Sequence, residues 1–196
     1  IISGYNIFNF DLRYLDFIAT TNGTSLKLGR DGSDITFDQW DSKHRKGNGQ
    51  LETYTEAHIF GREIVDLYFL VWKYYNSGRR YDSYKLKNVI KEEGIEAKDR
   101  QFYEADKIRY RYKDPVEWEK IKQYCIHDSD DCLNLYTLLM PAYFYYAQSI
   151  PKPFQKIICK ATGSQINSFL VRSYLQDGHS IPRESEQVDF EGAISL

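Results

Sequence analysis

Two aspartates stand where a carboxylate needs an explanation. Asp11 ends the run Gly4-Tyr5-Asn6-Ile7-Phe8-Asn9-Phe10-Asp11, where strand-like sequence gives way to a helix. Such an aspartate can cap the helix N-terminus, or it can present a carboxylate at a strand end for chemistry. Asp128 lies on a helical stripe with Ile121, Tyr124/Cys125, Cys132, Leu135 and Leu139 at three- and four-residue spacing. A carboxylate in an apolar stripe needs a cation, a metal ion or a position at the stripe's solvated edge. Tyr124, four residues earlier, puts its hydroxyl within reach of the same place. Asp130 and Asp131 flank the stripe and read as solvated. Asp66, at a strand end, either supports a site from behind or caps the following helix.

These residues need elements to hold them. Ile1–Phe8 reads as a buried strand, and the helix from Asp11 carries Leu12, Leu15 and Ile18 on one face before Asn22-Gly23 stops it. Residues 24–61 read as strands and loops punctuated by Gly29, Gly32, Gly47 and Gly49, with Ser42–Lys46 as a basic loop. Arg62–Leu67 reads as a strand running into an aromatic helix through Tyr75. Ser83 can cap a helix bearing Leu86, Val89 and Ile90, closed by Gly94. The clearest helix start is Asp114-Pro115-Val116-Glu117, an N-cap with Pro at the first helical position and Glu in a capping box. That helix is expected to run to about Leu139, because Pro141 should block it. A last helix begins near Ser164, with Ile166, Phe169, Leu170 and Tyr174, and ends at Gly178. Strands alternating with helices give an α/β class, and Arg183–Glu186 is the best candidate for a boundary.

Composition narrows the chemistry. The 196 residues carry a net charge of −2, so any affinity for nucleic acid must come from local patches or bound metal. Three cysteines at no zinc-like spacing suit reduced thiols in an intracellular protein. No secretory leader or membrane span is visible. Seventeen tyrosines and 11 phenylalanines serve packing or base stacking. Lys107–Lys113 interleaves cations with aromatics and reads first as a solvated strand face, second as a single-strand groove. His58 and His127 stand without ligand partners at metal spacing. The chain opens on Ile1-Ile2 with its only methionine at Met140, so an interior piece of a longer protein is expected.

Asn6-Ile7-Phe8-Asn9-Phe10-Asp11 resembles the second exonuclease motif of the family B DNA polymerases. Tyr124-Cys125-Ile126-His127-Asp128 resembles the third, in which Tyr is followed four residues later by Asp. Their order and separation match that family. So do Gly61–Tyr68 and Ser83–Val89 between them, and Thr162–Gln165 after them. Phe190-Glu191-Gly192-Ala193 is similar to the element that contacts single-stranded template at the exonuclease–polymerase junction, with Phe190 and Ala193 departing from its usual Tyr and second Gly.

The resemblance implies a ribonuclease-H-like (DnaQ-like) α/β exonuclease fold lacking its N-terminal strands. Residues 1–150 would form the partial 3′→5′ exonuclease domain and 151–196 a lead-in to the polymerase domain. It implies two-metal phosphodiester hydrolysis with Mg²⁺ or Mn²⁺, Asp11 and Asp128 as metal ligands, and Tyr124 orienting the attacking water. Asn6, Phe10, Phe190 and Gly192 would contact DNA. The first motif, Asp-x-Glu on the opening strand, is absent; Asp189-Phe190-Glu191 comes too late in the chain and is assigned to the junction. The longer protein would proofread and extend DNA, using deoxynucleotides and replication accessory proteins, away from membranes. Its expected location is the cytoplasm of a prokaryotic or virus-infected host, or a nucleus. The alternatives are a stand-alone DnaQ-like exonuclease and a non-catalytic single-stranded-DNA-binding module.

Overall fold

The computed structural model describes residues 1–183 except Gly47, Ser77, Arg79 and Lys98. The junction residues Phe190 and Gly192, and most of the candidate boundary at 183–186, lie outside the described residues. The elements run β1 (Ile2–Gly4), α1 (Asp11–Thr21), β2 (Thr36–Phe37), β3 (Ser42–Arg45), β4 (Leu51–Tyr54), β5 (Ala57–His58) and β6 (Ile64–Asp66). They continue with α2 (Leu67–Asn76), α3 (Leu86–Glu93), α4 (Ala105–Arg111), α5 (Pro115–Ser149), α6 (Phe154–Cys159) and α7 (Thr162–Gln176). β1 and β6 pair in parallel, Gly4 opposite Asp66, while β2–β5 and β3–β4 are antiparallel pairs. The core gathers Phe8, Leu12, Ile64, Val65, Leu67 and Phe69 with Leu135 and Leu139 from α5 and Ile158 from α6.

β1 stops at Gly4, four residues short of the expected strand. Asn6 has φ 59°, in the left-handed region that Asn tolerates better than most residues. The chain then coils, with Phe10 N donating to Asn6 O at 3.1 Å. One side chain fixes this turn. The Asp66 carboxylate accepts from Asn6 N at 2.8 Å and Phe8 N at 3.4 Å, and from Tyr68 N at 3.0 Å in the first turn of α2. Both roles open to Asp66 are therefore filled at once: it caps α2 and it holds the turn that leads to Asp11.

Several other expectations change. On α1 only Leu12 and Ala19 are buried, while Leu15 and Ile18 are exposed. The basic segment at 42–46 is mostly strand rather than loop: β3 pairs with β4, and His44 is buried against the Phe69 ring at 4.3 Å. Burial and then Lys73 push the His44 imidazole down to about 4. Lys107–Arg111 lies in α4, so the solvated strand face is a helix. α5 begins at Pro115 with Asp114 as its N-cap, Oδ1 accepting from Val116 N at 2.9 Å, but the capping box does not close, since Glu117 is held by Tyr103 and Lys120; the helix then continues through Pro141 to Ser149. Leu139 and Met140 are buried just before the proline, and Tyr143 packs on the core just after it, so tertiary contacts hold the helix through the lost bond. The apolar face expected on α7 is not buried; Ile166, Phe169, Leu170 and Tyr174 are exposed.

α6, assigned above to the lead-in, is bound to the same core by buried polar groups. Gln155 Oε1 accepts from Ile64 N at 3.0 Å, and Nε2 donates to Glu56 Oε1 at 3.0 Å and Ala57 O at 2.9 Å. Glu56, fully buried, is paired with Lys156 Nζ at 2.7 Å. Lys73 Nζ donates to Ile157 O at 2.7 Å and Lys160 O at 3.1 Å, neutralising the last carbonyls of α6.

Two outcomes follow. Gln155→Leu leaves the Ile64 N–H and Ala57 C=O buried without partners and should lower unfolding free energy by about 2–4 kcal/mol in urea titrations. Asp66 is pushed from the ordinary 3.8 to about 7, first by burial and lastly by Asp11, against the three N–H bonds that lower it. The folded chain thus holds this proton more tightly than the unfolded one. Its contribution to stability is full below about pH 4 and is lost as the pH rises through about 7. Asp66→Asn keeps an oxygen for Asn6 N and Tyr68 N, so urea melts between pH 4 and 8 should lose this downward slope in the variant.

Candidate active site

Asp11 and Asp128 line one cleft of about 590 Å³, with Ser3, Gly4, Tyr5, Ile7, Phe10, Leu86, Cys125, Ser129 and Cys132. Its walls follow from the packing already described. The turn clamped by Asp66 brings α1 to one side, and α5 presents its Asp128 face to the other. Asp11 is the first residue of α1, and no side-chain cap bond forms there, since the N-cap position is Phe10. The capping reading of Asp11 is thus set aside. Burial raises its carboxyl above the ordinary range. Cys132 lies between the acids: burial, then Asp128 and Asp11, push its thiol up to about 11.

Asp128 is half-buried and ion-paired, with Arg100 Nη2 at 2.6 Å from Oδ1. Oδ2 has no hydrogen-bond partner among the described residues. Asp131, read from the sequence as solvated, is instead fully buried and paired with Arg100 Nη1; Asp130 is exposed. Tyr124 is not among the residues lining the cleft, and its ring sits under Lys87 Nζ, 4.4 Å from the centroid. Phe10 is exposed at the cleft, stacked on Tyr14 at 6.1 Å. Asn6 lines a neighbouring cavity with Tyr5, Tyr68, Tyr84 and Leu86, and Tyr5 and Leu86 are common to both. His127 Nδ1 accepts from Gln101 N at 3.0 Å, and His58 Nε2 lies 2.8 Å from Asp38 Oδ1, so both have local structural partners.

Two aspartates lining one cleft offer the oxygen ligands that suit a hard divalent ion such as Mg²⁺. The set is small: among the described residues no group of three or more His, Cys, Asp and Glu could hold a metal ion. Asp66, a further buried acid on the strand beside β1, is committed to backbone N–H groups. Arg100 and Asp131 escaped the sequence reading. Asp131 had a usable signal, since it stands four residues before Leu135 on the buried side of α5; Arg100, one charge among several in a loop, had none.

Residues 1–89 match the family described as DNA polymerase family B, exonuclease domain. The whole chain is 30% identical to a DNA polymerase of Archaeoglobus fulgidus, of which it covers 22%. It is also 28% identical over its whole length to the DNA polymerase delta catalytic subunit of Plasmodium falciparum, covering 18% of that protein. The chain thus spans about a fifth of the length of these relatives. Among solved structures, the family B DNA polymerase from the hyperthermophilic archaeon Pyrobaculum calidifontis matches all of this chain and 24% of its own, with a TM-score of 0.69 and 24% identity. That likeness carries the fold, and the ribonuclease-H-like α/β class read from the sequence stands. Residues 1–89 are thus similar to the exonuclease domain of DNA polymerase family B, within a chain similar along its whole length to much longer DNA polymerases.

Proposed function

We infer that this chain forms part of the 3′→5′ proofreading exonuclease of a family B DNA polymerase, cleaving phosphodiesters at a DNA 3′ end. The observation that carries the reading is the shared cleft: two aspartates more than a hundred residues apart line the same space. Asp11 and Asp128 are the residues that would hold Mg²⁺ or Mn²⁺. A bound divalent ion would supply Lewis-acid activation of water and of the scissile phosphate. Asp128 offers its Oδ2, while Arg100 keeps the carboxylate in place through Oδ1. Tyr124 lies one turn earlier on α5 but outside the cleft lining, with its ring under Lys87; to orient the attacking water it would have to swing toward Asp128. Phe10, exposed at the mouth, offers a ring face on which a terminal base can stack. Asn6, in the adjoining cavity, would contact the strand beyond it.

The longer protein would bind primer–template DNA and deoxynucleotides, with accessory replication proteins, in the cytoplasm of a prokaryotic or virus-infected host or in a nucleus. No helix among the described residues is long and apolar enough to cross a membrane. Residues 151–196 would lead toward the polymerase portion.

In the full polymerase carrying this segment, Asp11→Ala or Asp128→Ala should abolish degradation of a mispaired 3′ end while sparing primer extension. Tyr124→Phe should be milder, costing about 10²–10⁴-fold without abolishing cleavage, because water orientation is shared with the metal. Proofreading that survived Asp128→Ala in a gel-based excision assay would remove Asp128 from the ligand set. The 196-residue chain alone should not degrade DNA: two carboxylates can hold one divalent ion, but they hold poorly the mutually repelling pair that hydrolysis needs. Strong Mg²⁺-dependent 3′→5′ cleavage by the bare chain would contradict this.

A further inference from the structure

The loop between α3 and α4 is stitched to α5 at three levels. Asn134 Nδ2 donates to Ile95 O at 3.2 Å, Arg100 reaches both Asp128 and Asp131, and Gln101 N donates to His127 Nδ1 at 3.0 Å. The Arg100 side chain is 2% exposed, and Glu96 Oε1 lies 3.9 Å from its Nε. The two aspartates it joins are not equivalent. Asp131 is fully buried, and Arg100 is the cation paired with it among the described residues. A buried carboxylate stripped of its cation is strongly unfavourable, so Asp131 fixes the arginine. The Asp128 side chain is 32% exposed and faces the cleft, so it is the partner able to let go.

We propose that Arg100 is a built-in cationic latch on Asp128, holding Oδ1 of the carboxylate whose Oδ2 is left for a divalent ion in the cleft. This rests on the reading of Asp11 and Asp128 as the metal-binding carboxylates. Arg100 is then a positioning residue with two effects. It keeps the Asp128 carboxylate ordered when the cleft holds no ion, and it weakens the ion's binding, because a guanidinium and a divalent cation on one carboxylate repel each other. Asp131 cannot relieve the competition by drawing the arginine away, since the fork already contacts both acids at once.

The test is Mn²⁺ binding to the 196-residue chain, followed by electron paramagnetic resonance of the free ion. Arg100→Met alone strands Asp131 and can unfold the protein. The working variant is therefore Arg100→Met/Asp131→Leu, which replaces the buried pair with apolar groups of similar size, an exchange that folded proteins often tolerate. Circular dichroism and a thermal melt establish that it folds. The double variant is expected to bind Mn²⁺ about tenfold tighter than the unaltered chain, with binding in both lost on Asp11→Asn. Equal or weaker affinity in the folded double variant, still abolished by Asp11→Asn, overturns the latch and leaves the metal-site reading intact. Absence of Mn²⁺ binding in both chains, or binding indifferent to Asp11→Asn, overturns both. A purely structural role for Arg100 predicts weaker binding when it is removed, so a gain separates the two.

Discussion

A single buried carboxylate organises the site end of this molecule. Asp66 ends β6, opposite Gly4 of β1, and accepts backbone N–H groups from the turn after β1 and from the start of α2. Among the described residues no lysine or arginine is paired with it; the cost of burying it is met by three N–H dipoles, and its raised pKa is the residue of that cost. Lengthening β1 by even a residue or two would carry Asn6 and Phe8 out of reach. The left-handed Asn6 is thus imposed by the clamp, and Phe8 is turned into the core beside Tyr54 and Phe69. Asp11, three residues further on, reaches the cleft that Asp128 of α5 also lines.

Features dictated by neighbouring backbone were legible in the sequence. Asp114-Pro115 marks the start of α5, and Gly94 and Gly178 adopt φ 66° and 70° after α3 and α7. These are local bargains over unpaired N–H and C=O groups, and they need no distant partner. Features settled by distant packing were misread. Pro141 reads as a stop until Leu139, Met140 and Tyr143 are seen anchoring both sides of it. Lys107–Arg111 is helical although its alternating cations and rings look like a strand face; Arg109 lies over Tyr110, its sequence neighbour, 4.5 Å from the ring centroid. Ser42–Arg45 pairs with Leu51–Tyr54, and only that pairing buries His44.

The candidate site divides along the same line. The positions of Asp11 and Asp128 could be inferred because each interrupts a pattern, one at a strand-to-helix junction and one within an apolar stripe. Arg100 interrupts nothing. It sits among Glu96, Ala97 and Asp99, where a charge is unremarkable, and its significance comes from two acids about thirty residues away. Asn6 and Phe10 share one motif yet open onto adjoining cavities, because the left-handed turn between β1 and α1 separates their side chains.

Buried side-chain hydrogen bonds do here what long sheet ladders do elsewhere. The strands are two to four residues long and pair only two by two among the described residues, so backbone pairing alone fixes little. Asp66 ties β6 to the turn after β1, Gln155 ties α6 to β5 and β6, and Arg100 ties the α3–α4 loop to α5. Each is directional and sits where water is excluded, so each sets an orientation as well as holding elements together. The long helix α5 is the common beam: the loop is latched to one side of it, and Leu135 and Leu139 pack into the core on another. The angle at which Asp128 faces Asp11 is therefore governed by groups outside the cleft. A change in Asp66 should reach the site through geometry, whereas a change in Arg100 alters both the position of the Asp128 carboxylate and the charge beside it.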